Sequence, residues 1–304
     1  MSKVFVLAPR EDWCVDQFVK EWYADNADIS VDNPTDASIV WLLADWCSDQ
    51  VPLHLLSSRK VLVTCHHFVP EKFDEAAFRA RDRFVDAYHV YNLRTNGFIR
   101  PFTGKPIYQL PYWANQHTWH RTGEVRPLAK PSIDLRKKHG LPEAGYLVGN
   151  FQRDTEGHDL KTPKWEKGPD RFADFVEHRL NTTRLPLHVV LAGWRRQYVI
   201  NRLEHAGVPY TYFERPPQAT INELYQTLDL YAVTARQEGG PQALIECGLT
   251  GTPVVSTPVG IAEQVLPASA INADVSLATP AIPNVETWKL PEGFKPYRDL
   301  LASL

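Results

Sequence analysis

The sequence lacks the features that would place it in a specialised class. Its four cysteines, Cys14, Cys47, Cys65 and Cys247, show no C-x-x-C spacing, so neither a disulfide framework nor a zinc site is expected. Cys65 and Cys247 lie in apolar contexts, where a free thiol behaves as a small hydrophobe. No run approaches the roughly 18 apolar residues of a membrane-spanning helix. The opening Lys3-Val4-Phe5-Val6-Leu7 is too short for the apolar region of a secretory signal. The expectation is a cytoplasmic protein with no transmembrane segment. Charge of one sign is also lacking, since 33 Lys+Arg against 36 Asp+Glu leave a net charge of −3. No long nucleic acid is expected as a partner, because its backbone demands many basic residues on one face. A local basic pocket for a diphosphate is still compatible. There is no Asp-x-Asp motif to hold a metal.

Tryptophan, by contrast, is abundant, with nine in the chain. Trp13, Trp46, Trp113 and Trp119 fall beside predicted strand ends, where an indole either stacks on a sugar or base or closes the rim of a cleft.

A chain of 304 residues suggests one large or two small domains. Short apolar runs alternate with helical patterns throughout. Val4 to Ala8, Ile39 to Ala44, Lys60 to Cys65, Ala87 to Tyr91 and Pro106 to Pro111 read as buried strands, and Asp12 to Tyr23 and Asp74 to Phe84 as helices. From Trp119 to Ala144 the chain turns polar, basic and proline-dotted, which reads as a link. Alternation then resumes: strands at 146–151, 187–192, 210–213, 230–234 and 254–256 are separated by helices, and a short amphipathic helix covers 297–304. This pattern predicts an α/β protein of two doubly wound, Rossmann-like domains, 1–125 and 126–285, with a terminal helical segment 286–304 that packs back on the first. Ligands of such domains bind beyond the carboxyl ends of the strands, in a central cleft.

The segment with the clearest chemistry follows the fourth strand of the second half: Ala235-Arg236-Gln237-Glu238-Gly239-Gly240-Pro241-Gln242-Ala243-Leu244-Ile245-Glu246. Gly239 and Gly240 let a ligand approach the backbone, and Pro241 suits the first turn of a helix. The free N–H groups of that new helix favour an anion, for which a diphosphate is the natural candidate. The next strand leads into a second such turn, Ser256-Thr257-Pro258-Val259-Gly260.

Together, Glu238-x7-Glu246, Gly251-Thr252-Pro253-Val254-Val255-Ser256-Thr257 and Val259-Gly260-x-x-Glu263 resemble the retaining GT-B glycosyltransferases of family 4, the group 1 glycosyl transferases. The match is close from about Gly145 to Leu266 and looser before it. The resemblance implies that Glu238 faces the donor sugar and Glu246 holds the ribose hydroxyls. The family also places an Arg and a Lys-Gly pair close together after the first strand of this domain, to hold the diphosphate. Here they become Arg153 and Lys167, spread apart by the insertion Asp154 to Glu166, with Lys161 and Lys164 as substitutes. Thr64-Cys65-His66-His67 resembles the segment of the active-site histidine, which fits His66, with His67 as the fallback. Arg10, Trp13 and Arg94 are candidates on the acceptor side. The turn Ala8 to Trp13, polar where many members have glycines, and the short first domain make acceptor knowledge transfer poorly.

The implied activity is transfer of a sugar from a nucleotide-diphosphate donor to a hydroxyl of a glycan, a lipid-linked molecule or a small molecule, with retention and without a metal or other cofactor. A GT-B-like nucleotide-sugar epimerase and a non-catalytic nucleotide-sugar-binding module are the alternatives.

Overall fold

The computed structural model describes residues 2–7, 9–10, 14–123 and 126–304. The chain forms two compact units, Met1–Trp113 with Leu290–Leu304, and Ala114–Lys289. Each is a parallel five-stranded sheet with helices between its strands. Among the described residues no helix is long and apolar enough to cross a membrane.

In the first unit the chain runs β1 (Val4–Leu7), α1 (Cys14–Asp25), β2 (Ile39–Leu42), α2 (Leu53–Leu56), β3 (Lys60–Cys65), α3 (Glu75–Asp82), β4 (Ala87–Val90), α4 (Leu93–Ile99) and β5 (Ile107–Gln109). The strands pair in sequence order, β1-β2-β3-β4-β5. A parallel bridge from Ser30 to Val4 occupies the other edge of β1, so the chain visits both sides of β1 before running on. All four residues of β2 and of β4 are buried, as expected where helices cover both faces of a parallel sheet. Trp22 and Trp41 meet edge to face at 5.1 Å in this core. Trp113 is also buried here, its indole N–H donating to Glu21 at 2.7 Å. In the second unit Trp119 is 8% exposed, against Tyr225. Neither indole is free to stack on a ligand, which corrects that part of the tryptophan expectation.

The terminal helix α11 (Lys295–Ser303) belongs to the first unit. Tyr297 is fully buried, stacks on Trp41 at 5.5 Å and donates to the Pro111 carbonyl at 2.6 Å. Arg298 forks onto Asp28.

The second unit contains α5 (Ile133–Lys138), β6 (Tyr146–Asn150), α6 (Pro169–Thr182), β7 (Leu187–Gly193), α7 (Gln197–Ala206), β8 (Tyr210–Glu214), α8 (Gln218–Tyr225), β9 (Leu230–Val233), α9 (Gln242–Thr250), β10 (Val254–Ser256) and α10 (Ala262–Val265). The proline-dotted stretch before α5 is stitched to the end of α8, for Thr122 N–H and Arg126 both donate to the Gln226 side chain at 2.8 Å. The strand order is β10-β9-β6-β7-β8. The direction of winding therefore reverses between β6 and β9, which opens a crevice at their carboxyl ends.

Candidate functional site

Arg153 and the inserted segment follow β6; Glu238 and the glycine pair follow β9. Both sets of side chains thus leave the two strands that flank the reversal. Gly168 is what lets them meet. It sits in the left-handed region (φ +60°), and a Cβ there would lie 2.1 Å from the Thr234 carbonyl oxygen at the end of β9. The Thr234 hydroxyl donates to the Gly168 carbonyl at 3.0 Å. Only glycine tolerates both the conformation and the approach. The short 3-10 turn Trp165–Lys167 is thereby pressed onto the segment after β9: Arg236 and Gln237 N–H both donate to the Glu166 carbonyl, at 2.8 and 3.1 Å. The consequence is a direct ion pair between the Lys167 ammonium and the Glu238 carboxylate, both largely buried. The Lys167 carbonyl in turn accepts from Gln152 at 2.6 Å.

Pro241 stands just before the first turn of α9, with Gln242 opening the helix. The Gln242 side-chain nitrogen Nε2 is buried and has no hydrogen-bond partner among the described residues. Such an orphan is costly unless something fills the turn. Gly260 (φ +57°) packs against this turn: a Cβ on it would lie 2.7 Å from Pro241 Cδ and 3.0 Å from Gly240 Cα. The two glycine turns anticipated after β9 and β10 are therefore in contact.

Glu246 lies in the second turn of α9, away from Glu238. Its carboxylate accepts a 2.5 Å hydrogen bond from Tyr225. Burial pushes the Glu246 carboxyl up to about 7, against the opposing effect of that hydrogen bond. Tyr225 is itself buried among Phe151, Tyr231 and Trp119, with ring centroids at 4.8, 5.3 and 6.1 Å.

The other candidates are dispersed. Arg153 donates to the Thr155 carbonyl at 2.8 Å and lays its guanidinium 5.1 Å from the Trp194 ring centroid. Arg195 and Arg215 approach the same ring, at 5.0 and 4.5 Å. Desolvation, with Arg195 next in effect, pulls the Arg153 pKa down. Lys164 pairs with Glu166 at 2.8 Å, and Lys161 is exposed. In the first unit, His66 directs Nε2 at the Leu43 carbonyl, 2.9 Å away, and Nδ1 at the Tyr112 hydroxyl, 3.4 Å away. A carbonyl only accepts, so the proton sits on Nε2 and Nδ1 is the acceptor. His67 is partly exposed beside it. Arg94 is exposed in the first turn of α4, and Arg10 has φ +61° with its N–H bonded to Asp16 at 2.8 Å. Trp13 lies outside the described residues.

Sequence reasoning missed Tyr225, Gln242, Trp165 and Trp194. Tyr225 is 21 positions from Glu246, in a helix with no local mark of that contact. For Trp165, its place between Lys164 and the Lys-Gly pair was the available signal.

Residues 159–278 match the family model of the group 1 glycosyl transferases. No curated protein matches the chain. Several solved structures do. Anabaena HepE in complex with UDP-glucose superposes with a TM-score of 0.66 at 15% identity, over 91% of this chain and 88% of that one. Sucrose-phosphate synthase from Thermosynechococcus elongatus gives 0.63 at 16%, over 98% and 81%. A UDP-forming α,α-trehalose-phosphate synthase from Burkholderia xenovorans gives 0.57 at 13%, over 89% and 70%. The chain therefore has the α/β fold of the GT-B glycosyltransferases, and its second unit carries the group 1 sequence pattern.

Proposed function

We propose that the protein moves a sugar from a nucleoside-diphosphate donor to a hydroxyl acceptor, with retention of anomeric configuration. The observation that carries this reading is the Lys167–Glu238 ion pair at the point where the second sheet reverses. In this reading it sets a cation for the leaving diphosphate beside a carboxylate for the transferred sugar. The unpartnered Gln242 side-chain Nε2 at the start of α9 supports an anionic occupant, as do the family match and the UDP named in the HepE complex.

In this reading the diphosphate lies against the Gly239-Gly240-Pro241 turn, and Lys167 neutralises the charge that builds as the glycosidic bond breaks. Arg153 adds a second cation by swinging off Trp194. The acceptor oxygen bonds to the anomeric carbon on the face the diphosphate leaves, and a β-phosphate oxygen takes the acceptor proton. No side-chain base is required, so positioning and electrostatics carry the rate. Glu238 orients the donor sugar and Glu246 the ribose hydroxyls.

The test is a transfer assay with UDP- and GDP-sugars and a panel of hydroxyl acceptors, run with and without EDTA. UDP or GDP release that depends on acceptor, survives EDTA and gives a product of the donor's own anomeric configuration is expected. An inverted product removes the retaining mechanism. Epimerisation or hydrolysis of the donor without acceptor replaces transfer as the function.

A further inference from the structure

Trp165 is 47% exposed, yet it is not loose. Its carbonyl accepts from the Arg236 guanidinium at 3.0 Å, and that guanidinium sits 5.2 Å from the indole centroid. Arg236 is fixed in turn by a two-pronged pair with Asp170, at 2.7 and 2.5 Å. The segment leading to Trp165 is closed on itself as well: Thr155 bridges Pro163, Glu156 N–H donates to the Thr162 carbonyl and Lys164 N–H to the Asp154 carbonyl. Asp154 is anchored on the buried Arg196 at 3.0 Å. The result is a large apolar ring, oriented by its neighbours and left facing solvent, two residues before Lys167.

Three ion pairs lie beside this ring: Lys164 with Glu166, Arg236 with Asp170, and Lys167 with Glu238. Paired in this way, these groups offer hydrogen-bonding edges in place of bare charges. Such a rim suits a ring with an apolar C–H face and a hydroxyl edge. Trp194 makes the contrast, since the three guanidiniums around it form no ion pair among the described residues.

We propose that the Trp165 indole is a stacking platform for a neutral pyranose ring of the acceptor, held beside the Lys167–Glu238 pair. The proposal rests on the glycosyl-transfer reading for the word acceptor; the platform itself rests on the geometry around Trp165. In the proposed reaction the donor sugar is tethered through its diphosphate to the Gly239-Gly240-Pro241 turn, whereas the Trp165 ring is 47% exposed and open to a second molecule.

Saturation-transfer NMR on the whole chain tests this, with UDP present and the methyl α- and β-pyranosides of glucose, galactose and mannose as probes. Wild type is expected to pass saturation to the ring C–H protons of at least one probe. Trp165→Ala is expected to lose that signal at least five-fold and Trp165→Phe to keep most of it, with melting temperature and UDP affinity unchanged in both. A signal undiminished in Trp165→Ala, or no signal from any probe in wild type, overturns the platform. Loss of the signal when UDP-glucose replaces UDP assigns the ring to the donor and overturns the acceptor assignment. Pyranoside binding through Trp165 in a chain that binds neither UDP nor GDP leaves the platform standing and removes the transfer reading instead.

Discussion

Tyr225 on α8 donates its hydroxyl hydrogen to Glu246 on α9 at 2.5 Å, inside a cage of Phe151 and Tyr231. This contact joins a carboxyl raised to about 7 to a phenol that burial also raises. A carboxyl with a higher pKa in the folded than in the unfolded chain binds its proton more tightly when folded. The Glu246 contribution is therefore most favourable at low pH and declines as pH rises from its ordinary 4.5 through 7. At about 1.4 kcal/mol per unit the loss is at most ~3.5 kcal/mol, reduced because the Glu246 side chain is only partly buried. Denaturant unfolding across this range should show wild type losing stability relative to Glu246→Gln as pH rises. Parallel curves would sink the assignment. Tyr225→Phe removes the one interaction that lowers this pKa, so its decline should extend to higher pH.

Much of this site was legible in the sequence because its markers are local. Glu238, the glycine pair and Gly260 each follow a strand, and turn chemistry depends on neighbours in the chain. The strands β3 and β10 run as the apolar patterns indicate, at Lys60–Cys65 and Val254–Ser256. What stayed hidden depends on contacts distant in sequence. Arg196 is fully buried, donating to Asp154, to the Asn150 side chain at 2.7 Å and to the Ala192 carbonyl at 3.0 Å, although a lone arginine beside Arg195 reads as a solvated surface. His89 is a second case. It is buried between Thr64 and Tyr297, and desolvation holds its pKa near 3. The apolar run Ala87 to Tyr91 marks its strand as buried, but its partners lie 25 and 208 positions away and leave no local mark.

Lys167 and Glu238 hold each other in an ion pair, so in the proposed reaction a donor diphosphate competes with Glu238 for the ammonium. Charge-assisted hydrogen bonds contribute about 1.5–3 kcal/mol, so Lys167→Ala should weaken UDP binding roughly 10- to 150-fold by calorimetry. Glu238→Gln should act differently. Nucleotide without sugar should bind at least as tightly as to wild type, because the lysine is released, while transfer slows by about 10²–10³. A Glu238→Ala variant that transfers at the wild-type rate would end the donor-sugar role of that carboxylate.

Arg153 rests on Trp194 rather than beside Lys167. An exposed cation–π contact is worth only about 0.5–1 kcal/mol, less than a charge-assisted bond to phosphate, so swinging across to the donor is affordable. Arg153→Ala should lower UDP affinity about ten-fold, with little effect on melting temperature. An unchanged affinity would shift the diphosphate role to the inserted Lys161 or Lys164. Of these, Lys161 is the freer, since Lys164 is already tied to Glu166.

Gly260 separates the two turns by the width of a missing methyl group. In Gly260→Ala the new Cβ meets Pro241 Cδ at 2.7 Å and Gly240 Cα at 3.0 Å, both rigid parts of the opposing turn, at a φ of +57°. The left-handed conformation costs about 1–2 kcal/mol for a residue with a Cβ, and overpacking adds about 1–3 kcal/mol. Relief must come from displacing the Gly239-Gly240-Pro241 turn, which the proposed mechanism places against the diphosphate. Unfolding free energy should therefore fall by roughly 2–5 kcal/mol, and UDP affinity should fall with it. Gly207→Ala is the control: its φ is +67° but no atom lies within 4 Å of its Cβ position, so it bears the conformational cost alone. Stability loss in both variants with UDP affinity reduced only in Gly260→Ala would tie the packed turns to binding. Equal UDP affinity in the two would separate the glycine contact from the donor site.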